Sequence, residues 1–278
     1  MATSTIQALL EYEAKTPAHF CLHLHAARCG AQTVLAEEFR ITPEARWREF
    51  EDHASANRYV RVDVPPGRFV VTYSADVRLD TEPVAEMPEE APLADLPDEV
   101  FRFLLPSRYC EADAIGEVAQ RLFCDDRPGL ARVQAIVRWI HRNIRYRPGS
   151  STITTSALDV LESREGVCRD FAHLAIAFCR ALNIPARFVA GYVWFDDPPQ
   201  DFHAVFEAWL GDRWVMFDPT GMAPPQRLVR IGSGMDATDV AFATYFGEAE
   251  LLRKEVIVLE HQARPQPQRP EHAAAQVL

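Results

Sequence analysis

The stretch that decides the fold is Glu165-Gly166-Val167-Cys168-Arg169-Asp170-Phe171-Ala172-His173-Leu174. Val167, Phe171, Leu174, Phe178 and Leu182 recur at spacings of three and four, the stripe a helix needs to face a core. Pro185 disfavours helix just ahead of itself, so the helix should stop near Asn183. Cys168 then falls in the first turn, among unpaired backbone N–H groups at the positive end of the helix dipole. Both favour the thiolate, the form of cysteine that attacks carbonyl carbon. On helical geometry Cys168 lies with Ala172, Ala175 and Cys179, which turns its sulfur toward a facing sheet.

That sheet is legible downstream. Strand patterns run over Ala186 to Tyr192, Phe202 to Leu210 and Arg213 to Phe217. Gly211-Asp212 suits a two-residue hairpin loop with glycine at its first central position. The loop pairs Leu210 with Arg213, Trp209 with Trp214, Glu207 with Met216 and Val205 with Asp218. His203 is then diagonal to Asp218, roughly 7–8 Å away at the backbone, within reach of a carboxylate–imidazole hydrogen bond. A slip of one residue would put the two on opposite faces. Thiol, imidazole and carboxylate are the set that cysteine acyl transfer requires. Taken singly, Cys168 reads as a small buried hydrophobe, His203 as an ordinary histidine and Asp218 as a turn former ahead of Pro219. Only their joint placement points to chemistry.

Upstream of the helix the period is also helical. Ile115, Val118, Ala119 and Leu122 share one face, and Leu130, Val133, Val137, Ile140 and Ile144 another. Ser156 with Asp159 forms an acidic variant of the capping box. Residues 1–80 read as β structure instead. Phe20, Leu22 and Leu24 alternate with polar residues, and so do Val60, Val62 and Val64 before the Pro65-Pro66-Gly67 turn. The third alternation runs from Phe69 to Leu79. Residues 81–99 mix prolines with acidic side chains, which predicts an extended, solvated linker. A second unit should then occupy 100–260, including a strand near Glu255 to Leu259, and 261–278 should be a disordered tail.

Composition narrows the function classes. The 278 residues are 48% hydrophobic and 25% charged, ordinary for a globular protein. A net charge of −11 repels a phosphate backbone, so nucleic acid is not an expected partner. No apolar run reaches the roughly 20 residues of a membrane span, and Met1 to Thr5 has no secretory pattern. Six scattered cysteines predict a reducing, cytoplasmic location.

Three segments together resemble the bacterial transglutaminase-like proteins. They are Gly166 to Leu174 with Cys179-Arg180-Ala181-Leu182-Asn183-Ile184-Pro185-Ala186-Arg187 behind it, Asp201-Phe202-His203-Ala204, and Trp214-Val215-Met216-Phe217-Asp218-Pro219-Thr220. The likeness is specific over about 129–247, and looser before 80, where it suggests the β-rich N-terminal domain of that subgroup. Val205 and Phe206 depart mildly, at places where relatives often carry an aromatic and a smaller residue. The resemblance implies an α+β, papain-like core behind a small all-β, sandwich-like domain, with Cys168, His203 and Asp218 as catalytic residues. The expected activity is cysteine-dependent acyl transfer on peptide or amide bonds through a thioester. Hydrolysis is favoured, because crosslinking needs a second, amine-binding groove for which the sequence offers no candidate. The rivals are a protein-glutamine transglutaminase and a non-catalytic peptide-binding module.

The backbone N–H of Cys168 is the natural first oxyanion donor. Tyr146 is a candidate for the second, against a packing role. Arg169 and Asp170 should hold the helix start, and Trp209 and Trp214 should pack together. His19, Cys21, His23 and His25 share one face of a predicted strand, yet a rise of about 3.3 Å per residue prevents all four from meeting one ion. No metal and no cofactor is expected. The expected partner is a peptide or protein substrate, with the N-terminal β domain as a possible surface for another protein or a second copy.

Overall fold

The computed structural model describes residues 2–53, 55–80, 88–124 and 128–262. Six strands come first: β1 (Ala2–Ala14), β2 (Ala18–Leu22), β3 (Gln32–Thr42), β4 (Trp47–Glu51), β5 (Arg58–Val64) and β6 (Gly67–Leu79). Helices and short strands follow: α1 (Asp98–Phe101), α2 (Gly116–Phe123), α3 (Leu130–Asn143), β7 (Arg145–Tyr146), α4 (Ala157–Ser163), β8 (Glu165–Gly166) and α5 (Cys168–Ala181). The chain closes with β9 (Ala186–Tyr192), β10 (His203–Leu210), β11 (Arg213–Phe217), β12 (Val229–Gly234), β13 (Ala243–Phe246) and β14 (Ala249–Gln262).

Period-two burial builds the N-terminal layers. In β6 Phe69, Val71, Tyr73, Ala75, Val77 and Leu79 are buried, and in β5 Val60, Val62 and Val64. The sheets run β14-β1-β6-β3 and β13-β2-β5-β4, and their inner faces share one apolar core. Tyr12 stacks on Phe69 at 5.5 Å and meets Phe20 edge-on at 5.0 Å. Each such side chain, fully buried, stabilises the fold by about 1.5–3 kcal/mol.

The second core packs α5 on an antiparallel sheet ordered β11-β10-β9-β12. Phe206, Ala208 and Leu210 face Leu174, Ala175 and Phe178 across that contact. Every residue from Asp170 to Arg180 is buried, because α2, α3 and α4 close the outer sides of α5. The helix ends where expected: Asn183 takes a positive φ of 62° ahead of Ile184-Pro185. Arg180, 3% exposed, ties the far end together by donating to the carbonyls of Ala186, Leu105 and Met235.

Three expectations need correction. The strand expected near 255–259 does not stay with the second unit; β14 runs to Gln262 and pairs antiparallel with β1, and β13 pairs with β2. The reason is apolar alternation: Val256 and Val258 are buried in the N-terminal core. His261 and Gln262 thus belong to a strand, and 263–278 lie outside the described residues. Of the linker, 81–87 lie outside the described residues too, while the rest is docked rather than free. Pro88 accepts from Leu130 N, Glu89 from Gly211 N, and the Glu90 carboxylate from Gly129 N and Arg132. Finally, β2 stops at Leu22, so the histidine-rich face does not continue. His19 pairs with Asp63, while His23 and His25 turn inward against Tyr59 and Tyr73. Among the described residues no group of three or more His, Cys, Asp or Glu is placed to hold a metal ion.

Candidate active site

Cys168 opens α5, with Val167 as the extended residue before it. Asp170 accepts from Val167 N at 2.8 Å, covering one of the orphan donors of the first turn. Arg169 donates to Asp170 at 3.0 Å and to the carbonyl of Thr152 at 2.6 Å. Gly166 is needed beneath this cap, since a Cβ there would stand 2.8 Å from Asp170 Cβ. Arg169 and Asp170 therefore fix where the thiol starts.

The hairpin delivers the other two groups. Its register pairs Leu210 with Arg213, Trp209 with Trp214 and Glu207 with Met216, ending at Phe206 opposite Phe217. Gly211 takes a φ of 66°, a left-handed conformation that glycine adopts at no steric cost. Asp218 lies one residue past the ladder, and its Oδ2 is 3.0 Å from Nε2 of His203. Both side chains are almost wholly buried, 1% and 2% exposed. Nδ1 is not taken up by Asp218, and Cys168 lies near enough to act on the ring electrostatically. Thiol, imidazole and carboxylate are thus brought together.

Burial opposes charge on His203, but the hydrogen bond with Asp218 and then the nearby Cys168 outweigh it and push its pKa up to about 10. Burial likewise opposes charge on Asp218, yet donors from His203 and Thr220 hold its carboxyl below the usual range. At neutral pH the pair is therefore imidazolium and carboxylate, with the positive ring beside the sulfur.

Tyr146 sits at the same point. Burial, and then the nearby Cys168 thiol, raise the pKa of its hydroxyl. Its ring packs on Phe171 at 5.8 Å, so both roles weighed for it are compatible with where it lies. Trp209 and Trp214 pack edge to face at 5.3 Å as expected.

Sequence reasoning missed the groups that hold Asp218. Thr220 donates to Oδ1 through its backbone N at 2.9 Å and its hydroxyl at 2.6 Å, and Ala223 N donates to Oδ2 at 3.2 Å. The signal was available in Asp218-Pro219-Thr220, since aspartate commonly bonds the backbone two residues on. Phe195, whose ring lies 5.6 Å from that of His203, carried no signal of its own.

Comparison with known proteins places this arrangement. Residues 116–219 match the model of the transglutaminase-like superfamily, and residues 3–97 that of the bacterial transglutaminase N-terminal domain. The chain belongs to the transglutaminase-like superfamily. It superposes on a crystal structure described as a "Putative Cysteine Protease from Cytophaga hutchinsonii" with TM-score 0.89 at 36% identity, covering 96% of this chain and 93% of that one. An uncharacterized protein of Mycobacterium leprae is 33% identical over 156 residues, 52% of this chain and 54% of that protein. A protein-glutamine gamma-glutamyltransferase of Pseudomonas aeruginosa is 27% identical over 154 residues, 49% of this chain and 23% of that protein. The chain thus spans about half the length, or less, of these curated relatives.

Proposed function

We propose that the protein is a cysteine-dependent acyl-transfer enzyme acting on peptide or amide bonds, with Cys168 as nucleophile, His203 as acid–base group and Asp218 orienting the ring. One observation carries the reading: a buried His203–Asp218 pair at 3.0 Å beside a cysteine at a helix N-terminus that acts on the same ring. The thiolate attacks the carbonyl carbon, and the oxyanion takes the backbone N–H of Cys168, with the Tyr146 hydroxyl turning to it as second donor. His203 then gives its proton to the leaving amine, and a thioester remains. Water attacking that thioester, its proton returning to His203, releases the acid and restores the thiol.

Hydrolysis is favoured over transfer. The description of the Cytophaga hutchinsonii relative as a protease supports it, since the two chains share 36% identity over nearly their whole lengths. Transfer to an amine is the second reading, supported by the name of the Pseudomonas aeruginosa relative. All six cysteines are free thiols, which supports a reducing compartment as the place of action.

Iodoacetamide labelling of intact protein, mapped by mass spectrometry, tests the nucleophile. Cys168 should alkylate below pH 7 and far faster than Cys21 or Cys110, and Cys168→Ala should remove that signal. Equal labelling of all three would overturn the reading. Incubating candidate peptides with and without a fluorescent alkylamine then separates cleavage from amine incorporation.

A further inference from the structure

A cavity of about 450 Å³ lies where the N-terminal sheets meet the α5 core, within the roughly 300–1,000 Å³ usual for a small-molecule site. Its walls come from the β4–β5 connection, from α1 and the residues after it, and from β9, β11 and β12. Those walls are tied to one another. The Asn57 side chain donates to the Ser233 carbonyl at 2.9 Å and accepts from Ser233 N at 3.0 Å. The Tyr59 hydroxyl donates to the Asp239 carbonyl at 2.8 Å. Glu207, which pairs with Arg187 on the cavity wall, stands four residues from His203 along β10. At about 3.3 Å per residue that is about 13 Å, so the cavity is apart from the thiol.

Arg102 and Arg187 both line this space, with two aromatic rings between them. The Arg102 guanidinium lies 5.3 Å from the Phe103 ring centre, Phe103 meets Trp214 edge-on at 5.2 Å, and Arg187 lies 4.1 Å over Trp214. Arg187 is short of acceptors. It shares the single carboxylate of Glu207, 4% exposed, with Arg230, so the cluster keeps a net positive charge. Arg187 gives Glu207 its Nε at 2.7 Å, and among the described residues nothing accepts from its two terminal nitrogens. Burial lowers the Arg187 pKa despite Glu207, whereas that of Arg230 is raised, so the shared carboxylate compensates Arg230 first. Among the described residues Arg102 has no carboxylate partner either. The carboxylates of Asp52 and Asp239 are engaged by Ser55 and by Met235 N, and Glu99 is exposed to water.

We propose that this cavity is a second binding site, for a small carboxylate with a flat apolar body: the anion takes the open edge of Arg187 together with Arg102, and the body lies against Phe103 and Trp214. The three wall carboxylates favour a singly charged anion over a phosphate dianion.

The test uses the full chain with 5-fluorotryptophan at its five tryptophans, the Trp214 fluorine resonance being assigned through Trp214→Phe. Phenylacetate should shift that resonance and half-saturate it at about 1 mM or below, ordinary for a ligand of its size. Neutral phenylacetamide and dianionic phenyl phosphate should each bind about 10-fold more weakly, or less. Arg102→Gln and Arg187→Gln should each weaken phenylacetate by about 10-fold, the value of one charge-assisted hydrogen bond. Arg102 is exposed, so its variant tests the site even where Arg187→Gln disturbs the buried cluster. No shift at Trp214, equal binding of phenylacetate and phenylacetamide, or undiminished binding in Arg102→Gln overturns the proposal. Tighter binding of phenyl phosphate overturns the carboxylate assignment.

Discussion

Replacing Asp218 by asparagine tests how the ring beside the thiol is charged. The rise of the His203 pKa from 6.5 to about 10 corresponds to roughly 5 kcal/mol in favour of the imidazolium. Asp218 and Cys168 both contribute, and an even division leaves roughly 2–3 kcal/mol to the carboxylate, equivalent to a 30- to 150-fold change in ring protonation. The asparagine side chain would keep an oxygen for the Thr220 donors but point its amide at His203 and at Ala223 N, leaving one N–H orphaned at about 1 kcal/mol. The fold should survive that loss. The assay is the second-order rate of iodoacetamide alkylation at Cys168 from pH 4 to 9. The native protein should stay reactive well below pH 7. The Asp218→Asn ring, its pKa lowered by about 1.5–2 units to about 8, should leave the rate at pH 6 unchanged and part from the native profile above about pH 8. Superimposable profiles would refute the reasoning, because Asp218 would then have no hold on the ring.

Three more perturbations have definite outcomes. Thr220→Val removes the 2.6 Å hydroxyl donor to Asp218 but keeps the backbone donor, and should raise the pKa of the Asp218 carboxyl by about one unit in an NMR titration, the value of one charge-assisted hydrogen bond. The buried His23 has its pKa lowered to about 4 by desolvation, so its contribution is complete above pH 6.5 and is lost as pH falls through 4. Urea melts should show roughly 3 kcal/mol lost from this group between pH 7 and 4, a loss absent in His23→Asn even though that variant starts lower. Arg180→Met leaves three carbonyls without their donor, and denaturant melts should show about 3–5 kcal/mol of destabilisation; a loss under about 1 kcal/mol would contradict the account of that contact.

Local chemistry made parts of the fold legible. The Cys168 helix, its end before Pro185 and the Gly211-Asp212 hairpin register each follow from side-chain period or turn sterics over a short stretch of chain. The separation of His203 from Asp218 then follows arithmetically. β1 was harder to see because its buried positions include Ser4, Ala8 and Ala14, whose small side chains give a weak alternation. Arg180 was not legible at all. Its partners lie at Leu105, Ala186 and Met235, and nothing near Arg180 in the chain encodes three carbonyls converging on it. The histidine-rich strand failed for the same reason: the period up to Leu22 is correct, and only the contacts of Tyr59, Tyr73 and Phe39 reveal where His23 and His25 turn.

The return of β13 and β14 to the N-terminal sheets changes what those sheets are for. The lead-in to His203 is Gln200-Asp201-Phe202, and all three residues are held from outside the α5 core. Val258 N donates to the Gln200 side chain at 2.7 Å, and Lys254 binds the Asp201 carboxylate at 2.5 Å. Phe202 stacks on Phe242 at 4.9 Å, just before β13. Asp201 in turn acts electrostatically on Tyr146, the hydroxyl beside the thiol. A β domain tethered only through residues 81–99 would be free to move without disturbing the hairpin. One that receives the last two strands and grips the residues ahead of His203 instead sets where the imidazole begins, which makes the N-terminal sheets part of the scaffold of the site.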